Sequence, residues 1–325
     1  AALAGKAAKV QLKAVKVSEP RLPEVDEAFI KSFGIKSGKV EIATGHIERF
    51  SKDGIVLTDG RVVEADLIVN PAANELAGEF VRNKIGGIVR DPVTAEALKP
   101  RGYPIFARRP CLDSSYYETY NLPQVHLIDL LNDDDIVEIT EKGVRLRKGG
   151  EIELDMLILA TGYDGLTGAL LNFDVVGRDG RTVKDKWKDG ARSHLGLMME
   201  GFPNLFMTTG PNGPAALANI IRISEHDVDW IAAALTHMEA RGLATIEPTA
   251  SAEEAWMQIV YQLSQRTLLT KAKTWYVGAN VKDKPQGLSM FTGGFPKYRE
   301  YCALATQDGY RAHFTFNLVK GSVSA

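Results

Sequence analysis

The sequence predicts an α/β protein, with room for about two domains in its 325 residues. A pattern of short β-rich runs that ends in an apolar strand occurs twice, at 40–69 and at 125–159. Helix-period sequence lies between the two copies and after the second one. The composition, 45% hydrophobic and 25% charged, is that of an ordinary globular protein with a sizeable core.

The first copy predicts a three-stranded meander followed by a buried strand. Its β-rich runs lie at 40–42, 47–50 and 54–57, and Asp59-Gly60 is a strong hairpin-turn signal. The apolar run 65–69 ends this copy.

The second copy repeats the same supersecondary unit. Its runs lie at 125–128, 136–139 and 143–146, and a turn at Gly149-Gly150 leads to Ile152. The apolar run 154–159 follows, so we interpret the two copies as an internal repeat.

Two helices are predicted between the copies. Asn74 is placed to cap a helix that carries Leu76, Phe80 and Ile85. Asp91-Pro92 starts a shorter helix, with aspartate at the N-cap and proline at the first helical position.

Two longer helices are predicted after the second copy. Ser224-x-x-Asp227 resembles a capping box, and Ser251-x-x-Glu254 is a better one. From Lys273 onward the sequence is aromatic and glycine-rich, which favours loop over helix. The first of these helices is expected to face the core with one apolar stripe, formed by Val228, Ile231, Leu235 and Met238.

Charge and cysteine content exclude several classes of function. The formal net charge of −2 gives no electrostatic basis for binding nucleic acid or a membrane surface. No apolar run approaches the ~20 residues that span a bilayer. The two cysteines, Cys111 and Cys302, favour a reducing cytoplasm over a disulfide framework. The six histidines lack metal-ligand spacing, so we expect no metal site.

The densest polar chemistry lies at Arg108-Arg109, which precedes a proline and a cluster of three tyrosines. Arginine keeps its charge and forks onto carboxylate, phosphate or peroxide oxygens. A solvated basic turn is the alternative for an isolated pair of arginines.

Three further segments could hold a cofactor. Thr161 and Gly162 follow an apolar strand, where small residues allow a ligand to approach the backbone. The loop 210–214, which contains Asn212, enters a helix and could direct N–H groups at an anion, or serve as a rigid loop. Trp275-Tyr276 could stack on a flat heterocycle, or pack in the core.

Taken in order, these segments resemble the C-terminal half of a class I Baeyer–Villiger monooxygenase, similar to the cyclohexanone and phenylacetone enzymes. The resemblance covers about residues 73–316. It rests on six motifs, at 73–75, at 80–100, at Arg109-Pro110 with 116–118, at 160–164, at 210–214 with Glu225 and Trp230, and at 275–280.

The resemblance implies a two-dinucleotide-binding-domain flavoprotein of the FAD/NAD(P)-binding type, here incomplete and with a helical insert. It implies FAD, NADPH and O₂ as reactants and the insertion of one oxygen atom beside a ketone carbonyl. Arg109 matches the arginine that stabilises the anionic oxygen intermediate. Arg108 stands near the NADP phosphate and Trp275 beside the nicotinamide, while Thr161, Gly162 and Asn212 contact cofactor. Ala215, Ala216 and Leu217 match the loop that lines the ketone pocket.

The domain boundaries are expected from the same resemblance. Residues 1–72 form an unassigned segment with a β-meander, similar to part of a related flavin monooxygenase. Residues 73–100 form the helical insert, 101–165 belong to the NADP-binding domain, and 166–325 form the C-terminal part of the FAD-binding domain.

The sequence also departs from the family. Neither of the family's two Gly-x-Gly-x-x-Gly phosphate loops is present, nor its Phe-x-Gly-x-x-x-His-x-x-x-Trp-Pro fingerprint. A partner chain that supplies the N-terminal nucleotide-binding half is therefore one expectation. A non-catalytic oligomerisation or interaction module is another. An ordinary NAD(P)-linked reductase is disfavoured by the segments at Arg109 and Trp275.

Overall fold

The structure is a computed structural model, and it describes residues 47–51, 54–57, 62–63, 71–109, 111, 113–130 and 134–318. All of these lie in the second of the two units into which the chain divides, Gly45–Ala325. The strands predicted at 40–42 and 65–69 and the turn at Asp59-Gly60 lie outside the described residues.

The first predicted meander is confirmed in the part of it that is described. Strands β1 (Ile47–Ser51), β2 (Gly54–Leu57) and β3 (Val62–Val63) form an antiparallel sheet in the order β1-β2-β3. Ile47 pairs with Leu57, and the register shifts between Ile47 and Arg49.

The helical segment after this meander contains α1 (Pro71–Ile88) and α2 (Pro92–Leu98). Asp91 caps α2 as predicted, because its Oδ2 accepts a hydrogen bond of 2.7 Å from the Thr94 N–H. The prediction that Asn74 caps α1 is wrong. The helix begins at Pro71, and Asn74 lies in its first turn with its side chain buried.

The short helix α3 (Tyr116–Thr119) precedes the second meander, which consists of β4 (Ile136–Ile139), β5 (Gly143–Leu146) and β6 (Gly150–Glu153). The predicted repeat is confirmed at the level of hydrogen-bond register. Ile136 pairs with Leu146 as Ile47 pairs with Leu57, and the register again shifts just after the first pair. Two sequences with one register indicate one supersecondary unit used twice.

The buried strand predicted at 154–159 does not form. This segment pairs with no strand in the described part of the chain, and its side chains are exposed, with Met156 at 75% and Ile158 at 79%. An apolar strand becomes buried only where flanking strands and helices cover both faces. The strand predicted at 125–128 likewise pairs with no strand in the described part of the chain.

The rest of the chain is mainly helical. It contains α4 (Gly168–Leu171), α5 (Val183–Lys186), α6 (Ile220–Glu239), β7 (Leu243–Pro248), α7 (Ala250–Gln265), α8 (Phe295–Leu304) and β8 (Phe314–Leu318). Strand β8 pairs antiparallel with β7, so the prediction of loop from Lys273 onward is wrong for 295–304 and 314–318.

Both predicted capping boxes are misplaced. Helix α6 begins four residues before Ser224, because the Asn219 side chain accepts a hydrogen bond of 3.2 Å from the Arg222 N–H. Helix α7 is capped by Thr249, whose Oγ1 accepts from the Ala252 N–H at 3.1 Å. In each case an earlier side chain forms the cap, Asn219 five residues before Ser224 and Thr249 two residues before Ser251.

The core-facing stripe of α6 also differs from the prediction. Its buried residues are Ile223, Asp227, Trp230, Ala234 and Met238, whereas Val228 and Leu235 are about half exposed. The polar Asp227 belongs to the buried stripe because two donors satisfy its carboxylate. Tyr298 Oη donates to Oδ1 at 3.0 Å, and the Thr209 N–H donates to Oδ2 at 2.8 Å. Burial raises the pKa of Asp227 above its ordinary value.

The largest core cluster joins α6, α7, α8 and the β7-β8 pair. The Trp256 ring stacks on Phe291 with ring centroids 5.0 Å apart, and Trp230 donates its indole N–H to the Cys302 carbonyl at 3.3 Å. No helix in the described part of the chain is both long and apolar enough to cross a bilayer.

Two stacked imidazoles, His194 and His313, join this core to the segment before β8. His194 Nε2 lies 3.2 Å from His313 Nδ1, and His194 is 2% exposed. Burial, reinforced by the neighbouring His313, lowers the pKa of His194 to about 3. The folded protein therefore holds this ring neutral, which allows one ring nitrogen to donate and the other to accept.

We predict an acid-sensitive contribution of His194 to stability. Because its folded pKa of about 3 lies below the ordinary value of 6.5, the contribution is complete above pH 6.5 and is lost as the pH falls towards 3. Its size is on the order of 4 kcal/mol. Urea unfolding between pH 7 and pH 4 should show a shallower pH dependence for His194→Gln than for the unchanged chain. The exposed His126→Gln is the control, and an equal slope in His194→Gln would contradict the prediction.

Candidate active site

The loop that carries Arg108 and Arg109 is held from behind by a buried amide. Asn74 Nδ2 donates to the Ile105 carbonyl at 2.9 Å, and Asn74 Oδ1 accepts from the Ile105 N–H at 3.0 Å. The Asn74 amide thus bonds both backbone groups of Ile105, as a residue of a neighbouring strand would. It fixes the backbone three residues before Arg108, so Asn74 is a supporting residue that the capping interpretation missed.

The two arginines leave this anchored loop in exposed positions. Ala107 is completely buried, while Arg108 and Arg109 are exposed. The Arg108 guanidinium lies over the Tyr103 ring, 4.4 Å from its centroid, in a cation–π contact that restrains its direction. Because Ala107 is buried in the interior, the charged side chains of Arg108 and Arg109 extend outward from a fixed stretch of backbone.

A small apolar cluster, which we call the site cluster, joins the loop to three other predicted segments. It brings residues before Arg108, residues of the 215–217 turn and residues around Trp275 into contact. Its buried members are Ala107, Ala215, Leu269, Ala272, Tyr276 and Met290, and its partly buried members are Tyr103, Leu166, Leu217, Trp275 and Leu288. Segments that are far apart in the chain therefore meet at one place.

The charge of Arg109 acts on this cluster. Burial raises the pKa of Tyr276, and the positive charge of Arg109 partly offsets that rise. The Arg109 charge therefore favours the ionised form of the Tyr276 phenol. Tyr276 in turn packs edge-to-face against Trp275, with ring centroids 4.4 Å apart. Arg109 thus acts electrostatically on a ring that packs against Trp275.

The loop 210–214 is rigid and enters the short helical turn Ala215–Leu217. Asn212 has a positive φ of 68° and is 1% exposed. Its side chain donates to the Ala191 carbonyl at 3.0 Å, and its N–H donates to the Ser289 carbonyl at 2.8 Å. These bonds direct the Asn212 side chain into the protein interior. Ala215 lies in the site cluster, and the side chain of Ala216 lies outside the described residues.

The turn that contains Thr161 and Gly162 is exposed. Gly162 has a positive φ of 90°, which glycine adopts without strain, and no atom lies within 4 Å of the position a Cβ would take. A flat ligand can therefore approach this backbone closely. Three residues later, a Cβ on Gly165 would lie 3.0 Å from the Trp275 ring, so this turn packs directly against the Trp275 segment.

The structure thus brings Arg108, Arg109, Leu217 and Trp275 together around the site cluster, with the exposed turn beside Trp275. It places the Asn212 side chain behind this surface. Sequence reasoning missed Asn74 and Lys284 as supporting residues, whereas the core-packing alternative for Tyr276 is confirmed by its 2% exposure. Lys284 carries no local signal because its partners lie about 120 positions away.

The chain is similar in sequence and in structure to several known proteins. A Baeyer–Villiger monooxygenase of Pseudooceanicola batsensis is 39% identical over 245 residues, which are 75% of this chain and 44% of that protein. The closed crystal structure of cyclohexanone monooxygenase superposes with a TM-score of 0.73 at 38% identity, covering 78% of this chain and 47% of that one. The crystal structure of OTEMO in complex with FAD and NADP gives a TM-score of 0.72 at 34% identity, covering 78% and 46%. No protein-family model matches the chain.

The fold matches that of flavoproteins of the two-dinucleotide-binding type. More narrowly, the chain is homologous to the C-terminal portion of the Baeyer–Villiger monooxygenases. It spans a little under half the length of the relatives it matches.

We predict that Gly165→Ala disturbs the contact between the turn and Trp275. The added methyl group would lie 3.0 Å from the ring, so the ring must shift by a few tenths of an ångström. Such overpacking costs about 1–3 kcal/mol. Urea unfolding should show this loss, together with a changed near-UV circular dichroism of the folded state. Gly287→Ala is the matched control because its Cβ would meet no atom within 4 Å. Equal stability of the two variants would contradict the prediction.

Proposed function

We propose that this chain supplies the ketone-side half of an FAD- and NADPH-dependent Baeyer–Villiger monooxygenase. The reaction inserts one atom of O₂ between a ketone carbonyl and its neighbouring carbon, giving an ester or lactone. The observation that carries the proposal is the convergence of Arg109, Trp275 and the 215–217 turn on the site cluster. The cytoplasmic location expected from the sequence stays a prediction, as do the domain boundaries.

Arg109 is proposed as the catalytic residue. Its guanidinium cannot lose its proton at neutral pH, so it offers a permanent positive charge with several N–H donors. Preorganised charge of this kind stabilises negative charge that develops on oxygen, because the protein has already oriented the donors. The anchoring of its loop by Asn74 and Ala107 supplies that preorganisation.

The other site residues are proposed to bind cofactor and substrate. Arg108 is proposed to contact the NADP phosphate, since a guanidinium binds phosphate bidentately. Trp275 is proposed to contact the nicotinamide side. Ala215, Ala216 and Leu217 are proposed to line the ketone pocket, where small side chains leave room for a bulky substrate.

The flavin, when bound, supplies the oxygen chemistry. We propose that Thr161 and Gly162 approach it, since open space lies above Gly162. Asn212 is proposed to act through the loop 210–214, because its side chain already bonds the Ala191 carbonyl.

The proposal is tested by FAD uptake and by Arg109→Ala. The full chain is purified and incubated with FAD, and a protein-bound flavin absorbance is expected. With NADPH and a cyclic ketone, Arg109→Ala should lower ester formation at least about a hundredfold, the scale of losing one preorganised donor to an oxyanion. NADPH oxidation should persist in this variant.

Arg101→Ala is the matched control, because Arg101 lies on the same loop and pairs with Glu96 at the surface. Ester formation at the unchanged rate in Arg109→Ala would refute the assigned role. A chain that takes up no flavin would refute a self-sufficient enzyme.

We infer a second candidate, a module that functions only with a partner chain, from the exposed apolar surface at 154–159. Leu159 is 69% exposed and the outer residue Ile139 of β4 is 63% exposed, while Ile221 of α6 is 71% exposed. Exposed apolar patches of this kind commonly mark protein interfaces. Apart from Leu154, whose N–H donates to the Lys142 carbonyl at 2.8 Å, the segment 154–159 pairs with no strand in the described residues and is proposed to accept a strand of the partner.

This candidate predicts that the chain associates in solution or binds a polypeptide that carries the two glycine-rich loops. Light scattering and analytical ultracentrifugation measure the mass with and without that polypeptide. Ile158→Asp should weaken the association about tenfold or more, since it places a charge on a segment that the partner would bury. Tyr261→Asp, on the exposed side of α7, is the control. A monomer that ignores the added polypeptide would contradict this candidate.

A further inference from the structure

Lys284 lies where two segments of the candidate site meet. Its Nζ forms an ion pair with the Asp164 carboxylate and donates to the Gly165 carbonyl at 2.9 Å. The Lys284 side chain is 12% exposed, so a long and flexible cation is held largely out of solvent. Ordering such a chain costs conformational entropy, which the two charge-assisted bonds offset.

Two neighbouring contacts link the same two segments of the chain. Asn280 Nδ2 donates to the Tyr163 carbonyl at 3.0 Å. Gly165 packs so close to Trp275 that a Cβ there would lie 3.0 Å from the ring. Each residue from 163 to 165 is therefore contacted by the segment that begins with Trp275 and ends with Lys284.

These contacts matter because the turn 160–165 has little other support. The segment before it pairs with no strand in the described part of the chain, and Tyr163 is 93% exposed. A turn without strand partners takes its position from tertiary contacts. The Lys284 side chain reaches the backbone of this turn, because its Nζ donates to the Gly165 carbonyl.

We propose that Lys284 is a positioning residue that sets the distance between the turn containing Thr161 and Gly162 and the ring of Trp275. A flat cofactor ring that enters the open space at Gly162 would then take its position from this distance. The cofactor part of this inference rests on the proposed function, whereas the geometric part concerns this chain alone.

The test compares Lys284→Met, which keeps the length but loses the charge, with Lys284→Arg. Lys297→Met is the matched control, because Lys297 forms an exposed ion pair with Glu300 far along the chain from the turn. Hydrogen–deuterium exchange of the full chain is measured for peptides that cover 160–166 and 274–280. Dissociation constants for FAD and NADP⁺ are measured on the same proteins.

We expect exchange in both peptides to rise about tenfold in Lys284→Met and dinucleotide affinity to fall by about the same factor, the scale of one charge-assisted hydrogen bond. Lys284→Arg should restore much of both, and Lys297→Met should match the unchanged chain. Asp164→Asn combined with Lys284→Met should show no faster exchange than Lys284→Met alone, because both changes remove the same ion pair.

Unchanged exchange in Lys284→Met would overturn the inference. Faster exchange with undiminished affinity would also overturn it, since Lys284 would then only stabilise the fold. If the unchanged chain binds neither dinucleotide, the proposed function of the isolated chain fails, and the exchange data still decide whether Lys284 sets the geometry of the turn.

Discussion

The position of the loop 210–214 depends on the hydrogen bonds of one buried carboxylate, that of Asp227. It lies inside α6 at 1% exposure, where an unpaired carboxylate would be very costly. Tyr298 and the Thr209 N–H supply the donors that offset this cost. One side chain thereby joins α6, α8 and the start of the loop 210–214. Ala215 follows that loop and lies in the site cluster, so the position of the 215–217 turn depends on a contact in the core.

The site itself is assembled by side chains that reach across long stretches of chain. Asn74 holds the loop of Arg108 and Arg109, and Lys284 holds the turn after 154–159. Both act on backbone atoms and both are largely buried. The exposed arginines can therefore keep one direction although no strand supports their loop in the described residues. This division between buried supports and exposed charges is what preorganised electrostatic stabilisation requires.

The segment 154–159 shows how much of this fold depends on what surrounds it. The two meanders form with the same register because their turns and cross-strand pairs are local. The strand that should follow has no local partner, so its apolar side chains stay exposed. The relatives that share this sequence are more than twice as long as the part that matches. The exposed apolar segment 154–159 is therefore the basis of the proposal that the chain depends on a partner.

The sequence by itself determined the features that neighbouring residues decide: both meanders, the Asp91 cap, and the segments at Arg109, 215–217 and Trp275 that meet at the site. Only the tertiary structure decided that Asp227 faces inward, that Asn74 supports a loop instead of capping a helix, and that Lys284 reaches the turn at 163–165. The physical reason is that a polar side chain becomes buried when distant donors or acceptors satisfy it. The residues next to it in the sequence do not indicate which distant groups those partners are.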